Sequence, residues 1–168
     1  RNAGYQTNSR FVFGVNFGFN YKGLSVDGLL NGSGRRDVYL GNYLQDPGVG
    51  RNNYVFQYDS WTANNKGASF PRITTTNINN SNNFTTSDFW LVNAEYLRLK
   101  TLTIGYDFNK MKNINKLGVF NELTLFVSGT NLLTFSPCKK YFDPELADAN
   151  NFYYPVNKTY SFGIRAGF

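Results

Sequence analysis

Strict alternation of apolar and polar positions governs several stretches of this chain. From Phe11 to Tyr21, the residues Phe11, Phe13, Val15, Phe17, Phe19 and Tyr21 share one face of an extended strand, and Val12, Gly14, Asn16, Gly18 and Asn20 share the other. A side-chain period of two marks a β-strand whose faces meet different surroundings. This stretch of 11 residues matches the roughly 9 to 11 of a tilted membrane-spanning strand. A row of Phe would be a costly exposed patch on a soluble protein, and the opposing Gly and Asn would make a poor second core. Lipid on one side and water on the other suit both rows.

The pattern recurs four times. After a tight turn at Lys22 and Gly23, Leu24, Val26, Gly28 and Leu30 oppose Ser25, Asp27, Leu29 and Asn31. In Tyr96 to Phe108, Leu102, Ile104, Tyr106 and Phe108 oppose Thr101, Thr103, Gly105 and Asp107, whereas Leu97 and Leu99 sit at the wrong parity. A bulge near Lys100, or a strand top rising above the bilayer, restores sense to that stretch. Leu123, Leu125, Val127 and Gly129 alternate with Glu122, Thr124, Phe126, Ser128 and Thr130. In the last run, Tyr160, Phe162, Ile164, Ala166 and Phe168 oppose Thr159, Ser161, Gly163, Arg165 and Gly167.

Between the strands, connections alternate short and long. Residues 31–93 form a long polar loop rich in Gly, Asn, Ser and Thr, with one short hairpin expected around Tyr54 to Tyr58. Residues 109–120 are short and basic, with Lys110, Lys112 and Lys116 reading as a solvated face and Gly118 ending one helical turn. Residues 133–157 form a second long loop. Outer-membrane barrels pair short periplasmic turns with long external loops, so both long loops are expected outside the cell. The fold class is therefore all-β, five antiparallel strands of a transmembrane barrel. Five strands cannot close on themselves, since membrane barrels need about eight or more, and an open edge in lipid leaves backbone groups unpaired.

Composition narrows the function classes. Mean hydropathy is −0.41 over 168 residues with 18% aromatic residues, and no run of apolar residues is long enough for a membrane helix. The net charge of +6 permits a nucleic-acid partner, but the basic residues are scattered and the aromatics lie in strand rows, so none is expected. The chain has no His, the commonest general base and transition-metal ligand. Cys138 is alone and reads as an incidental thiol. The chain opens at Arg1 without a charged and apolar leader, which reads as a boundary within a longer polypeptide.

The segments DSWTANNKGASFPR (59–72), SDFWLVNAEYLRLKTLTIGYDF (87–108), LTLFVSGTNLLTF (123–135), YFDPE (141–145) and YPVNKTYSFGIRAGF (154–168) together resemble the C-terminal end of the SusC/RagA family of TonB-dependent outer-membrane transporters of Bacteroidetes. The resemblance implies the last five strands of a barrel of about 22, a plug occluding its lumen, a SusD-like surface lipoprotein as lid, and TonB acting through an N-terminal part absent from this chain. It further implies import of oligosaccharides or peptides across the cell outer membrane, with no catalysis and no cofactor. The final strand, through Tyr160, Phe162, Ile164 and Phe168, is then the signal read by the barrel-assembly machinery.

Individual residues carry more specific expectations. Asn16, Asn20, Asp27, Thr101, Thr103, Asp107, Glu122, Thr124, Ser128, Thr130 and Arg165 face the lumen, lining a substrate path or packing against the plug. Asp143 and Glu145 of the DPE element suit either a hard cation or a Pro-fixed turn. Trp61 and Phe70 are candidates for partner or ligand contact, and Trp90 and Tyr96 for anchoring at the membrane interface. Asp27, Asp107 and Glu122 lie near the ends of different strands, with no shared pocket for paired-carboxylate hydrolysis. Two other functions remain open: a structural subunit of an envelope assembly that has lost transport, and a soluble carbohydrate-binding β-domain.

Overall fold

The computed structural model describes residues 8–40, 54–73, 85–110, 122–146, 154 and 156–167. Strands β1 (Phe11–Tyr21) and β2 (Leu24–Gly34) are joined by Lys22 and Gly23, with φ of 48° and 92°. Two successive left-handed residues make the hairpin turn whose twist matches that of its strands. Gly23 is needed there twice over, because an added Cβ would also stand 2.7 Å from the Asp107 carbonyl oxygen.

Short strands β3 (Asp37–Tyr39) and β4 (Leu91–Asn93) pair with each other, and β5 (Tyr96–Asp107), β6 (Glu122–Phe135) and β7 (Thr159–Gly167) complete the set. The large sheet has the order β1-β2-β5-β6-β7. It is an antiparallel meander, as the alternation predicts. Among the described residues no helix is long and apolar enough to cross a membrane.

The chain divides into two compact units, one carrying the large sheet (residues 11–33, 96–135 and 155–168) and one combining residues 34–95 with 136–154. In the sheet unit, pairing stacks the apolar residues in layers. Leu24, Tyr106, Leu125 and Ile164 form one, and Val26, Ile104, Val127 and Phe162 the next. In the third layer, Gly28, Leu102, Gly129 and Tyr160 align, with the Phe17 ring lying over Gly28 and the Leu132 side chain over Gly129. Each aromatic or aliphatic side chain thus fills the space its glycine neighbour leaves on the same face.

Lys100 is the extra residue of a β-bulge. Leu29 pairs with Thr101 and Leu30 with Leu99, so Lys100 has no counterpart on β2. On β6 the pairing passes from Thr130 to Leu133, so Asn131 and Leu132 stand opposite Lys100, with Asn131 left-handed at φ 53°. An inserted residue shifts side-chain parity by one, which returns Leu97 and Leu99 to the face of Leu102, Ile104 and Tyr106. The bulge, not a strand top above the membrane, explains the phase break in the sequence.

Because the bulge keeps both sides of the ladder in register, β2 continues to Gly34 and β6 to Phe135. The connections therefore start at Arg35 and Ser136, later than the alternation alone places them. With Lys100 left out, the apolar face from Leu97 to Tyr106 matches the eight ladder steps from Gly32 to Leu24. At about 3.3 Å per step and a tilt of 35–45° it spans roughly 19–22 Å, most of the height of an outer-membrane apolar band.

Three further expectations meet the structure differently. Residues Val55–Asp59 form a 3-10 helix rather than a hairpin strand, because Gln57 turns back locally: its N–H donates to the Tyr54 carbonyl at 2.9 Å and its Oε1 accepts from the Tyr54 N–H at 2.7 Å. Phe108–Lys110 form a 3-10 turn, while Lys112, Lys116 and Gly118 lie outside the described residues. Trp90 is not an interface anchor: it is 2% exposed within the loop unit. Tyr96 shares the parity of Arg98, opposite the apolar row.

Candidate functional site

The face opposite the apolar layers is built almost entirely of small and polar side chains. Asp27, Thr103, Ser128 and Ser161 align across four strands, and Leu29, Thr101, Thr130 and Thr159 form the next row. Ser25, Gly105, Phe126 and Gly163 make a third, followed by Asp107, Thr124 and Arg165. The expected inward residues of β2, β5, β6 and β7 therefore share one surface. On β1, Gly18 brings the row across to Asp27, since a Cβ at Gly18 would stand 2.7 Å from Asp27 Oδ1. Asn16 and Asn20 alternate with the Phe row on the same strand and are exposed.

Several of these side chains have structural partners. The hydroxyls of Thr130 and Thr159 lie 2.5 Å apart. Asp107 Oδ1 accepts from the Asn109 N–H at 2.9 Å, and the Asp107 N–H donates to the Gly23 carbonyl, so this carboxylate holds the end of its strand. Glu122 and Arg165 form an ion pair at 3.7 Å with both side chains about half exposed or more, an arrangement that contributes little to stability. Asp27, Asp107 and Glu122 do not converge on one another, which leaves no paired-carboxylate geometry.

Two residues of this face stand out from the small polar floor. Phe126 covers Gly163, where a Cβ would stand 2.5 Å from its Cζ. Arg98 is 1% exposed, and its Nε donates to Thr134 Oγ1 at 3.0 Å. Charged side chains are rarely buried without hydrogen-bonding partners, and the bulge at Lys100 is what assigns Arg98 to this face. The sequence carries that signal in the parity break, though only the register reveals its consequence.

The loop unit has its own core. Val38, Ala94 and Cys138 form one buried cluster and Leu40 and Trp90 another, with Val92, Tyr141 and Phe142 packed against both. Phe56 and Phe70 extend it: the Phe56 ring lies 5.3 Å from Phe70 and 5.0 Å from Tyr141, edge-on to the latter. Phe70 also stacks on Trp90 at 6.2 Å. The Phe70 ring is thus committed to internal packing. Burial pushes the Cys138 thiol above its ordinary value, and its Sγ lies 3.1 Å from Ser136 Oγ.

Asp143 and Glu145 sit in a turn. Asp143 Oδ1 accepts from the Glu145 N–H at 2.9 Å and its carbonyl accepts from the Leu146 N–H at 3.1 Å. Pro144 between them is fully buried, and its carbonyl accepts from Arg36 Nη1 at 3.0 Å. The Pro-fixed turn is the geometry present, with the Asp143 carboxylate engaged on the backbone.

Trp61 is 42% exposed on a turn fastened at both ends. Its N–H donates to the Phe70 carbonyl at 2.9 Å, and Thr62 and Asn65 exchange backbone hydrogen bonds beyond it. Below the turn, Asp59 accepts from the Ser69 N–H and from Asn65 Nδ2. The bond with Ser69, aided by Asn65, holds the Asp59 carboxyl below its ordinary range. Trp61 is therefore an indole presented at the surface on a rigid support. In the last strand, Tyr160, Phe162 and Ile164 are all strongly exposed on the apolar face, while Phe168 lies outside the described residues.

No protein-family model matches the chain. It is 25% identical over 150 residues to TonB-dependent receptor P39 of Formosa agariphila, covering 85% of this chain and 14% of that protein. Solved structures of the RagAB peptide importer match over 98% of this chain and 18% of theirs: the "open-open" state at 28% identity and TM-score 0.65, and the "closed-closed" state at 26% and 0.66. A further structure of the RagAB peptide transporter matches at 26% identity and TM-score 0.67. The chain thus spans less than a fifth of the relatives it matches. With its two-faced antiparallel sheet, the chain is similar in sequence and fold, across nearly its whole length, to a TonB-dependent receptor and to the RagAB peptide importers.

Proposed function

We propose that the chain forms part of the wall and two external loops of a TonB-energised importer in the cell outer membrane, working with a SusD-like surface lipoprotein. Peptides are the favoured cargo over oligosaccharides, because the solved structures it resembles are peptide importers. One observation carries the reading: through the bulge at Lys100, apolar layers hold one face of the sheet from Tyr106 to Leu97 while hydroxyls and small residues hold the other. Such a wall meets lipid outside and a wet or plug-filled lumen inside. Its residues orient and pack and do no covalent chemistry.

The connection from Arg35 to Glu95 and that from Ser136 to Lys158 are the external loops in this reading, with Trp61 as a contact for cargo or lipoprotein. The test is uptake of labelled peptides and oligosaccharides by cells with and without the full-length gene, before and after collapse of the proton-motive force. Energy-dependent peptide uptake that disappears with the gene is the expected result. Unchanged uptake of both cargo classes, with the protein still bound to a surface lipoprotein, would instead identify a scaffold.

A further inference from the structure

We infer that the described parts of the two long connections, separate in sequence, form one mechanical body, so that the segment from Ser136 to Leu146 cannot open unless the aromatic core built by Leu40, Phe56, Phe70 and Trp90 loosens. The two clusters of the loop unit are distinct, Val38, Ala94 and Cys138 in one and Leu40 and Trp90 in the other, yet Val92, Tyr141 and Phe142 pack against both. Two of those three shared residues belong to the second connection. Tyr141 meets Phe56 edge-on at 5.0 Å and Phe70 at 6.1 Å. Arg36 adds a polar tie to the Pro144 carbonyl, 108 residues away in sequence.

Within the first connection, the Leu40 N–H donates to the Trp90 carbonyl at 2.7 Å and the Ala94 N–H to the Arg36 carbonyl at 2.8 Å. These bonds fasten the β3–β4 pair whose Val38 and Ala94 cover Cys138. Close-packed cores are bistable rather than continuously deformable, so a segment sharing its core with another opens with it. A contact made at Trp61 is then transmitted to the 136–146 segment through Phe70 and Tyr141. This coupling does not depend on transport, and it is measurable in purified protein even if the import proposal fails.

Cys138, 0% exposed and the sole cysteine of these residues, is a natural reporter of opening. The full-length protein in detergent is treated with N-ethylmaleimide and the Cys138 peptide is quantified by mass spectrometry, scoring only the heat-modifiable, folded fraction. Trp90→Ala lies outside the Cys138 cluster, and it should raise the labelling rate by a factor on the order of 100; Val55→Ala, on the exposed side of the same connection, should leave it unchanged. In the reverse direction, Tyr141→Ala should speed hydrogen exchange of the Leu40 amide. If Trp90→Ala yields no folded fraction, Phe56→Leu in the same core takes its place with a smaller rise. A folded core variant whose Cys138 stays as protected as in the unaltered protein, or a Tyr141→Ala protein with unchanged Leu40 exchange, would show two independent loops and overturn the inference.

Discussion

Phe126 on β6 lies across Gly163 on β7, on the hydroxyl-rich face of the sheet, so close that a Cβ at Gly163 would stand 2.5 Å from the ring. The pair is a size match: the large side chain occupies the space the glycine leaves. Gly163→Val should cost about 1–3 kcal/mol through overpacking. Phe126→Ala in the same chain should recover part of that loss, which a double-mutant cycle on full-length protein measures. Strictly additive effects would mean that the ring does not rest on Gly163.

Neighbouring residues on β6 should respond oppositely to charge. Leu125 lies in the apolar layer with Tyr106 and Ile164, whereas Thr124 opposes Arg165 on the other face. Leu125→Arg should destabilise the barrel by about 2–4 kcal/mol near the bilayer midplane. Thr124→Arg should cost much less unless it meets the plug. The ratio of folded to unfolded bands in a heat-modifiability assay separates the two.

Removing Lys100 tests the bulge itself. Lys100→Ala keeps the extra residue and should assemble normally. Deleting Lys100 places Leu99 directly before Thr101, so plain alternation keeps Leu97 and Leu99 on the face of Leu102 and Arg98 beside Thr134. Membrane-inserted protein should therefore survive the deletion, and a nitroxide at position 99 should meet lipid-borne oxygen both with and without Lys100. A label at 99 that reaches oxygen only after the deletion would mean that the native strand runs without a bulge and would refute the assignment.

The strands were legible because lipid and water impose opposite demands on alternate residues, and the sequence records those demands directly in rows such as Phe11 to Tyr21. The bulge was legible too, as the misplaced parity of Leu97 and Leu99. What the sequence hid was long-range. Trp90 and Phe70 look like surface aromatics in a polar stretch, and only contact with Tyr141 and Phe56 from distant positions makes them core residues. The same holds for β3 and β4, three residues each and 54 apart in number from Asp37 to Leu91, too short for any periodic signal. Arg98 needed the register across β2, β5 and β6 before its burial made sense.

The most direct test of the membrane wall is a nitroxide scan of β6 in full-length protein reconstituted into bilayers, with Cys138→Ser and any other native cysteines replaced. Single cysteines replace Leu123 through Gly129 in turn, and each label is probed with oxygen, which concentrates in lipid, and with a polar relaxer confined to water. Collision with oxygen should peak at 123, 125, 127 and 129 and fall at 124, 126 and 128, following the pairing of β6 with β7. Loss of this two-residue period, or a higher water-phase response at Leu125 and Val127 than at Thr124 and Ser128, would contradict a lipid-facing apolar row.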